Sequence, residues 1–127
     1  MSPEDKASLL ERAEEDLRAA EILRREDDEL TTTICFHLQQ YAEKVVKAKL
    51  DELGVDYPAR HNLITLLNLF KGTDLASELF DEASALTDYA TSARYDSVTP
   101  TVEQMNEAFE QAKRIVEAVK KVDSLNN

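Results

Sequence analysis

The sequence predicts an all-α protein, an up-and-down bundle of four long helices and one short helix. Three observations carry this. Apolar residues recur at steps of three and four along nearly the whole chain, and no useful stretch alternates with period two. The chain has only two glycines and three prolines, too few for the tight turns of a sandwich or barrel. At 127 residues and 43% hydrophobic content it suits one domain, read as residues 1–127, and can close a core.

Each element follows from local chemistry. Ser2 can cap the first helix, Pro3 fits its first position, and Asp5 favours the positive end of the dipole. Leu9, Leu10, Ala13, Leu17, Ala20 and Leu23 then recur at helical spacing. The run Glu26-Asp27-Asp28-Glu29 opposes a helix C-terminus and ends the element there. The second helix begins between Leu30 and Thr33 and runs to Leu53, on a stripe of Ile34, Leu38, Tyr41, Ala42, Val45, Val46 and Ala48. Gly54 stops it, because glycine takes the left-handed conformation without a Cβ penalty. Val55 to Arg60 is a connector.

A short third helix is expected over roughly Asn62 to Lys71, capped by Asn62 and stopped by Gly72. Leucines, Ile64 and Phe70 nearly encircle it, which predicts burial on several sides. The fourth helix starts at Thr73 or Asp74 and places Leu75, Leu79, Ala83, Leu86, Ala90 and Ala93 on one face, with Phe80 beside them. Asp96 to Pro100 breaks the pattern. The fifth opens at Thr99-Pro100 or at a capping box from Thr101 to Gln104. Met105, Ala108, Ala112, Ile115, Val119 and Val122 form its stripe, widened by Phe109 and Val116.

Charge narrows the function. The formal net charge is -11, so a general surface for duplex DNA or other duplex nucleic acid is not expected. The charge is uneven. Residues 1–30 hold eleven acids and five bases, whereas residues 31–60 hold four of each. No apolar run approaches a membrane span, and the acidic N-terminus shows no apolar signal segment, so the expectation is a cytoplasmic protein with no membrane partner. A single cysteine excludes an internal disulfide or a Cys-rich zinc site. Neither His37 nor His61 has an acid three residues before it, as a di-iron bundle requires, so no metal site is expected. There is no glycine-rich phosphate loop. Cys35, between Ile34 and Phe36, reads as a small buried residue. A histidine phosphotransfer bundle would have one His on a long helix followed shortly by Lys and Gly; Leu38, Gln39, Gln40 and Tyr41 follow His37 instead.

The informative stretch is residues 35–49. His37, Gln40, Lys44 and Lys47 recur at steps of three, four and three, so they share one helix face, with Glu43 beside them. An imidazole, an amide and two ammoniums in a row could take an anion or a base edge. The competing reading makes the lysines a solvated face and lets Gln40 bond to a neighbouring helix. A second island is Ser92 to Asp96, where Arg94 sits in an otherwise acidic segment next to Tyr95. A third is Pro58-Ala59-Arg60-His61-Asn62-Leu63.

Together these islands resemble the HEPN family (higher eukaryotes and prokaryotes nucleotide-binding domain), and most closely its small stand-alone prokaryotic members. The first helix carries an Asp-Leu-x-x-Ala pattern at Asp16 to Ala20. The second carries Cys-Phe-His-x-Gln-Gln-x-x-Glu-Lys-x-x-Lys-Ala at Cys35 to Ala48, with Tyr41 where the family often has Ala. The connector resembles Pro-x-x-His-Asp-Leu, with Asn62 for Asp. Ala93-Arg94-Tyr95 ends the fourth helix and Pro100-Thr101 opens the last.

The resemblance implies a five-helix bundle, usually a homodimer, often encoded beside a minimal nucleotidyltransferase and in many cases part of a toxin–antitoxin, defence or stress module. It implies nucleotide binding in some members and ribonuclease activity in many. That activity uses an Arg, four to six residues, then a His. Here Arg94 is followed at those distances by Thr99, Pro100 and Thr101, and no His occurs after His61. The chain lacks that general acid/base. The expected ligand-binding set is therefore His37, Gln40, Glu43, Lys44, Lys47, Arg94 and Tyr95, for a nucleotide or similar small anion, with no cofactor. Two alternatives stand beside it. One is a divergent ribonuclease acting on RNA through Arg94 with His37 or His61. The other is a non-catalytic helical interaction module.

Overall fold

A computed structural model describes residues 3–59, 62–95 and 99–125, with side chains for 8–59, 62–90 and 99–125. It contains α1 (Pro3–Glu26), α2 (Thr31–Glu52), α3 (Leu63–Leu67), α4 (Leu75–Glu78), α5 (Phe80–Tyr95) and α6 (Val102–Lys120). Among the described residues there is no strand, and no helix is long and apolar enough to cross a membrane. The architecture is all-α, as the periodicity predicts.

α2 is the central element. It packs against α1, α3, α5 and α6. Ile34, Cys35, Leu38, Ala42, Val46 and Leu50 are fully enclosed along it, and Val45 and Ala48 nearly so. These positions cover more than one face, which lets one helix serve several neighbours. α1 lies along it through Ala13 and Ala20, both at 0% exposure; their small side chains allow close approach of the two backbones. Leu10, placed on the same stripe by its spacing, is instead 38% exposed. It covers a shallow depression with Val45, Ala48 and Lys120.

The ends of α2 show how the sequence stops it. Asp27 closes the preceding turn by accepting from the Glu29 N–H at 3.1 Å, an Asx turn. At the far end Gly54 has φ +74°. The Val55 N–H reaches the Leu50 carbonyl at 2.8 Å, and the Gly54 N–H reaches that of Asp51 at 3.1 Å. This is the double closure of a Schellman motif.

The third helix is shorter than its apolar run suggests. Asn62 caps it, accepting from the Thr65 N–H at 2.9 Å. After Leu67 the ladder tightens, with the Leu69 and Phe70 N–H groups bonding to the carbonyls of Leu66 and Leu67. The Asn68 side chain also donates to the Ile64 carbonyl at 3.1 Å, one way a short polar side chain competes with a helix. Leu63, Leu66, Leu67 and Phe70 still reach the core.

The expected fourth helix is divided at Leu79, whose φ of -108° and ψ of 15° depart from helical values. The two pieces stay linked, since the Leu79 and Ala83 N–H groups bond to the Leu75 and Leu79 carbonyls at 2.9 Å. Leu75, Leu79, Ala83 and Leu86 are buried, as their spacing predicts, while Phe80 is 51% exposed. For α6, the capping box prevails over a start at Thr99-Pro100. The Gln104 N–H donates to Thr101 Oγ1 at 3.0 Å, and the Thr101 N–H donates to Gln104 Oε1 at 2.9 Å. The Arg24 guanidinium, 3.7 Å from the centre of the Phe109 ring, ties the end of α1 to α6. The cap read at Ser2 and the break at residues 96–98 lie outside the described residues.

Candidate functional site

The polar face of α2 meets α1 along one edge of the bundle. On α1, Asp16 sits three residues after Ala13 and four before Ala20, so it flanks the buried stripe. Its carboxylate is only 12% exposed and receives two partners from α2. His37 Nδ1 lies 2.8 Å from Asp16 Oδ1, and Lys44 Nζ donates to Oδ2. His37 and Lys44 are two turns apart on α2, and one carboxylate spans the interval.

A second set continues down the same helix. Gln40 Nε2 donates to Gln39 Oε1 at 2.7 Å. Gln39 Nε2 donates to Glu43 Oε1 at 3.1 Å. Glu43 Oε2 accepts from Lys47 Nζ at 3.2 Å. The Lys47 ammonium also lies 5.8 Å from the centre of the Tyr57 ring, within reach of the negative face of an aromatic. Burial raises the Tyr57 pKa, and the charge of Asp51, its hydrogen bond and the charge of Glu43 raise it further. The phenol therefore stays neutral beside Lys47 over the physiological range.

The structure thus brings together His37, Gln40, Glu43, Lys44 and Lys47, five of the residues marked by spacing. Neither extreme reading of the lysines describes them. Lys44 and Lys47 are about one-fifth exposed, and each ammonium already faces a carboxylate. Among the described residues two carboxylates face the two ammoniums, so the seam is not a strongly basic patch. Gln40 bonds to Gln39 on its own helix, and to no neighbouring helix among the described residues. The side chains of Arg94 and Tyr95, and all of His61, lie outside the described residues.

Two participants escaped sequence reasoning. Asp16 reads as a pattern residue on an acid-rich helix, yet it is the acid placed on the flank of the α1 alanine stripe. Gln39 is 5% exposed and carries polarity from Glu43 to Gln40. Cys35 matches its expected role: it is fully enclosed and burial pushes its thiol up to about 12, so the reactive thiolate is suppressed. Among the described residues no cluster of His, Cys, Asp or Glu is placed to hold a metal ion.

An imidazole held at Nδ1 by a carboxylate keeps one tautomer and presents Nε2 outward. Beside it lie an oriented amide and two tethered ammoniums. Such a surface offers fixed hydrogen-bonding groups in place of a strong field.

The chain is an all-α bundle whose second helix carries a His-x-x-Gln-x-x-x-Lys-x-x-Lys face, closed at His37 and Lys44 against an acid of the first helix. The sequence profile of the HEPN domain matches residues 7–122. The chain therefore belongs to the HEPN family. Its fold is similar to the crystal structure of an archaeal HEPN homologue, with a TM-score of 0.69, 25% identity, and coverage of 91% of this chain and 94% of the other. A comparison with curated proteins found no match.

Proposed function

We propose that this HEPN domain binds a nucleotide along the α1–α2 seam, with His37 and Gln40 toward the base and Lys44 and Lys47 toward the phosphates. One observation carries the reading. Four side chains able to contact such a ligand lie on one face of α2, and each is held in place by Asp16, Gln39 or Glu43. Orientation before binding reduces the entropy lost on complex formation. Incoming phosphate oxygens compete with Asp16 and Glu43 for the ammoniums, so affinity is moderate and falls as salt rises. Arg94 and Tyr95 are assigned to the site by the sequence pattern alone. Family membership alone supports the further parts of the proposal: a homodimer acting with a minimal nucleotidyltransferase in a toxin–antitoxin or stress module.

Titration calorimetry with ATP tests the reading. Binding by the unaltered chain, weakened at least about tenfold in the Lys44→Ala/Lys47→Ala double variant, is the expected outcome. Absence of heat with ATP and with other nucleoside triphosphates refutes it.

A further inference from the structure

The outer face of α1 carries a charge pattern that the seam does not use. Glu14, Arg18, Glu21 and Arg25 follow one another at steps of four, three and four, so they form one stripe. With Ile22 they line a shallow groove. All five are exposed, Ile22 at 37%. Asp16 lies two positions from both Glu14 and Arg18, about 200° around the helix, and faces α2 instead. The stripe and the seam are therefore on different sides of α1.

Within one protomer these charges are not answered. Spacing of four would let Glu14 pair with Arg18 and Glu21 with Arg25 along the helix, yet among the described residues neither pair forms. Arg25 makes only a 3.8 Å contact with its neighbour Glu26, both side chains being at least 70% exposed. The order of the charges is self-complementary. Glu14 and Arg25 are equidistant from the midpoint between Ala19 and Ala20, and so are Arg18 and Glu21. A second α1 laid antiparallel across the same midpoint sets Glu14 against Arg25 and Arg18 against Glu21, and two-fold symmetry repeats both contacts. A parallel two-fold pairing would set every charge against its own kind. An antiparallel pairing centred between Glu14 and Arg18, or between Glu21 and Arg25, matches only those two charges. One arrangement answers all four, and it covers Ile22.

We infer that the outer face of α1 is the surface on which a second copy of this chain docks, antiparallel and two-fold, through Glu14–Arg25 and Arg18–Glu21 pairs. The inference rests on the homodimer reading and adds its interface. Exposed ion pairs are individually weak. Their part is to fix the partner, the direction and the register of the contact. The two acids and two bases of the stripe sum to zero, so the contact itself is locally neutral although each copy carries a net charge of -11. Because Asp16 is on the other side of α1, the seam of each copy stays open to ligand.

The test is sedimentation equilibrium of the full chain, with circular dichroism to check that each variant keeps its helicity. The parent is expected to dimerise. Arg18→Glu sets like charges together in both symmetry-related contacts and is expected to raise the dimer Kd at least about tenfold. Arg18→Glu/Glu21→Arg restores opposite charges across the same contacts and is expected to return the Kd to within about threefold of the parent. A dimer indifferent to Arg18→Glu overturns the inference and leaves the homodimer reading standing. A loss that the exchanged pair does not restore has the same consequence. A parent that stays monomeric at every concentration overturns both.

Discussion

The Asp16 carboxylate joins the first two helices by charge, and removing it has a calculable consequence. In Asp16→Ala, Lys44 loses its carboxylate while its side chain stays about four-fifths covered, and His37 loses its Nδ1 partner. Exposed pairs contribute at most about 1 kcal/mol, whereas breaking a fully buried one costs about 3–5 kcal/mol. Asp16 is 12% exposed and Lys44 21%, which puts this pair between those limits, at about 2 kcal/mol. For a chain of this size that corresponds to a melting temperature roughly 5–10 °C lower. Urea unfolding followed by circular dichroism measures it. The Asp16→Ala/Lys44→Ala double variant recovers part of the loss, because no unpaired ammonium remains, and the coupling energy of the cycle is about 1 kcal/mol. An Asp16→Ala variant within about 0.5 kcal/mol of the parent, the usual scatter of surface substitutions, would refute the reasoning. The seam would then be an ordinary solvated surface, and the orientation of His37 would have no anchor.

Two further outcomes follow from the core and from the end of α2. Cys35 is fully enclosed, with its pKa raised from 9.0 to about 12. The folded chain therefore holds this proton where the unfolded chain releases it. The stabilisation is complete well below pH 9 and declines as pH rises through the unfolded value, with about 1.4 kcal/mol lost at pH 10. Cys35→Ala should flatten that part of the urea-stability profile between pH 9 and 11; an unchanged slope contradicts the assignment. At Gly54 a Cβ would meet nothing within 4 Å, but φ is +74°, so Gly54→Ala should cost about 1 kcal/mol through backbone strain alone. A neutral result in thermal melts would mean that the end of α2 relaxes into another turn.

The fold was legible because its signals are local. Steps of three and four marked Ala13, Ala20, Leu38, Val46, Leu86 and Ile115 as core, and all are enclosed. Gly54, Asn62 and the Thr101–Gln104 box ended or opened helices where they were expected to. The misplacements were also local in cause. Asn68 offers its side chain to a helical carbonyl, so α3 ends before the apolar run does. Leu79 leaves helical geometry within an otherwise regular pattern and divides the fourth helix, while Phe80 faces solvent.

The sequence by itself determined which face of α2 is polar, because His37, Gln40, Lys44 and Lys47 follow the helical repeat and no other element is needed to align them. Only the tertiary structure decided what that face can do. Asp16 lies twenty-one residues before His37, and no spacing rule links an acid on one helix to an imidazole on the next. Packing of the Ala13–Ala20 stripe against α2 brings the carboxylate there. It pairs Lys44 and orients His37, whereas Lys47 and Gln40 are held from within α2 by Glu43 and Gln39. Helical periodicity is a property of neighbours along the chain, whereas neutralisation and orientation come from the partner that packing places opposite them.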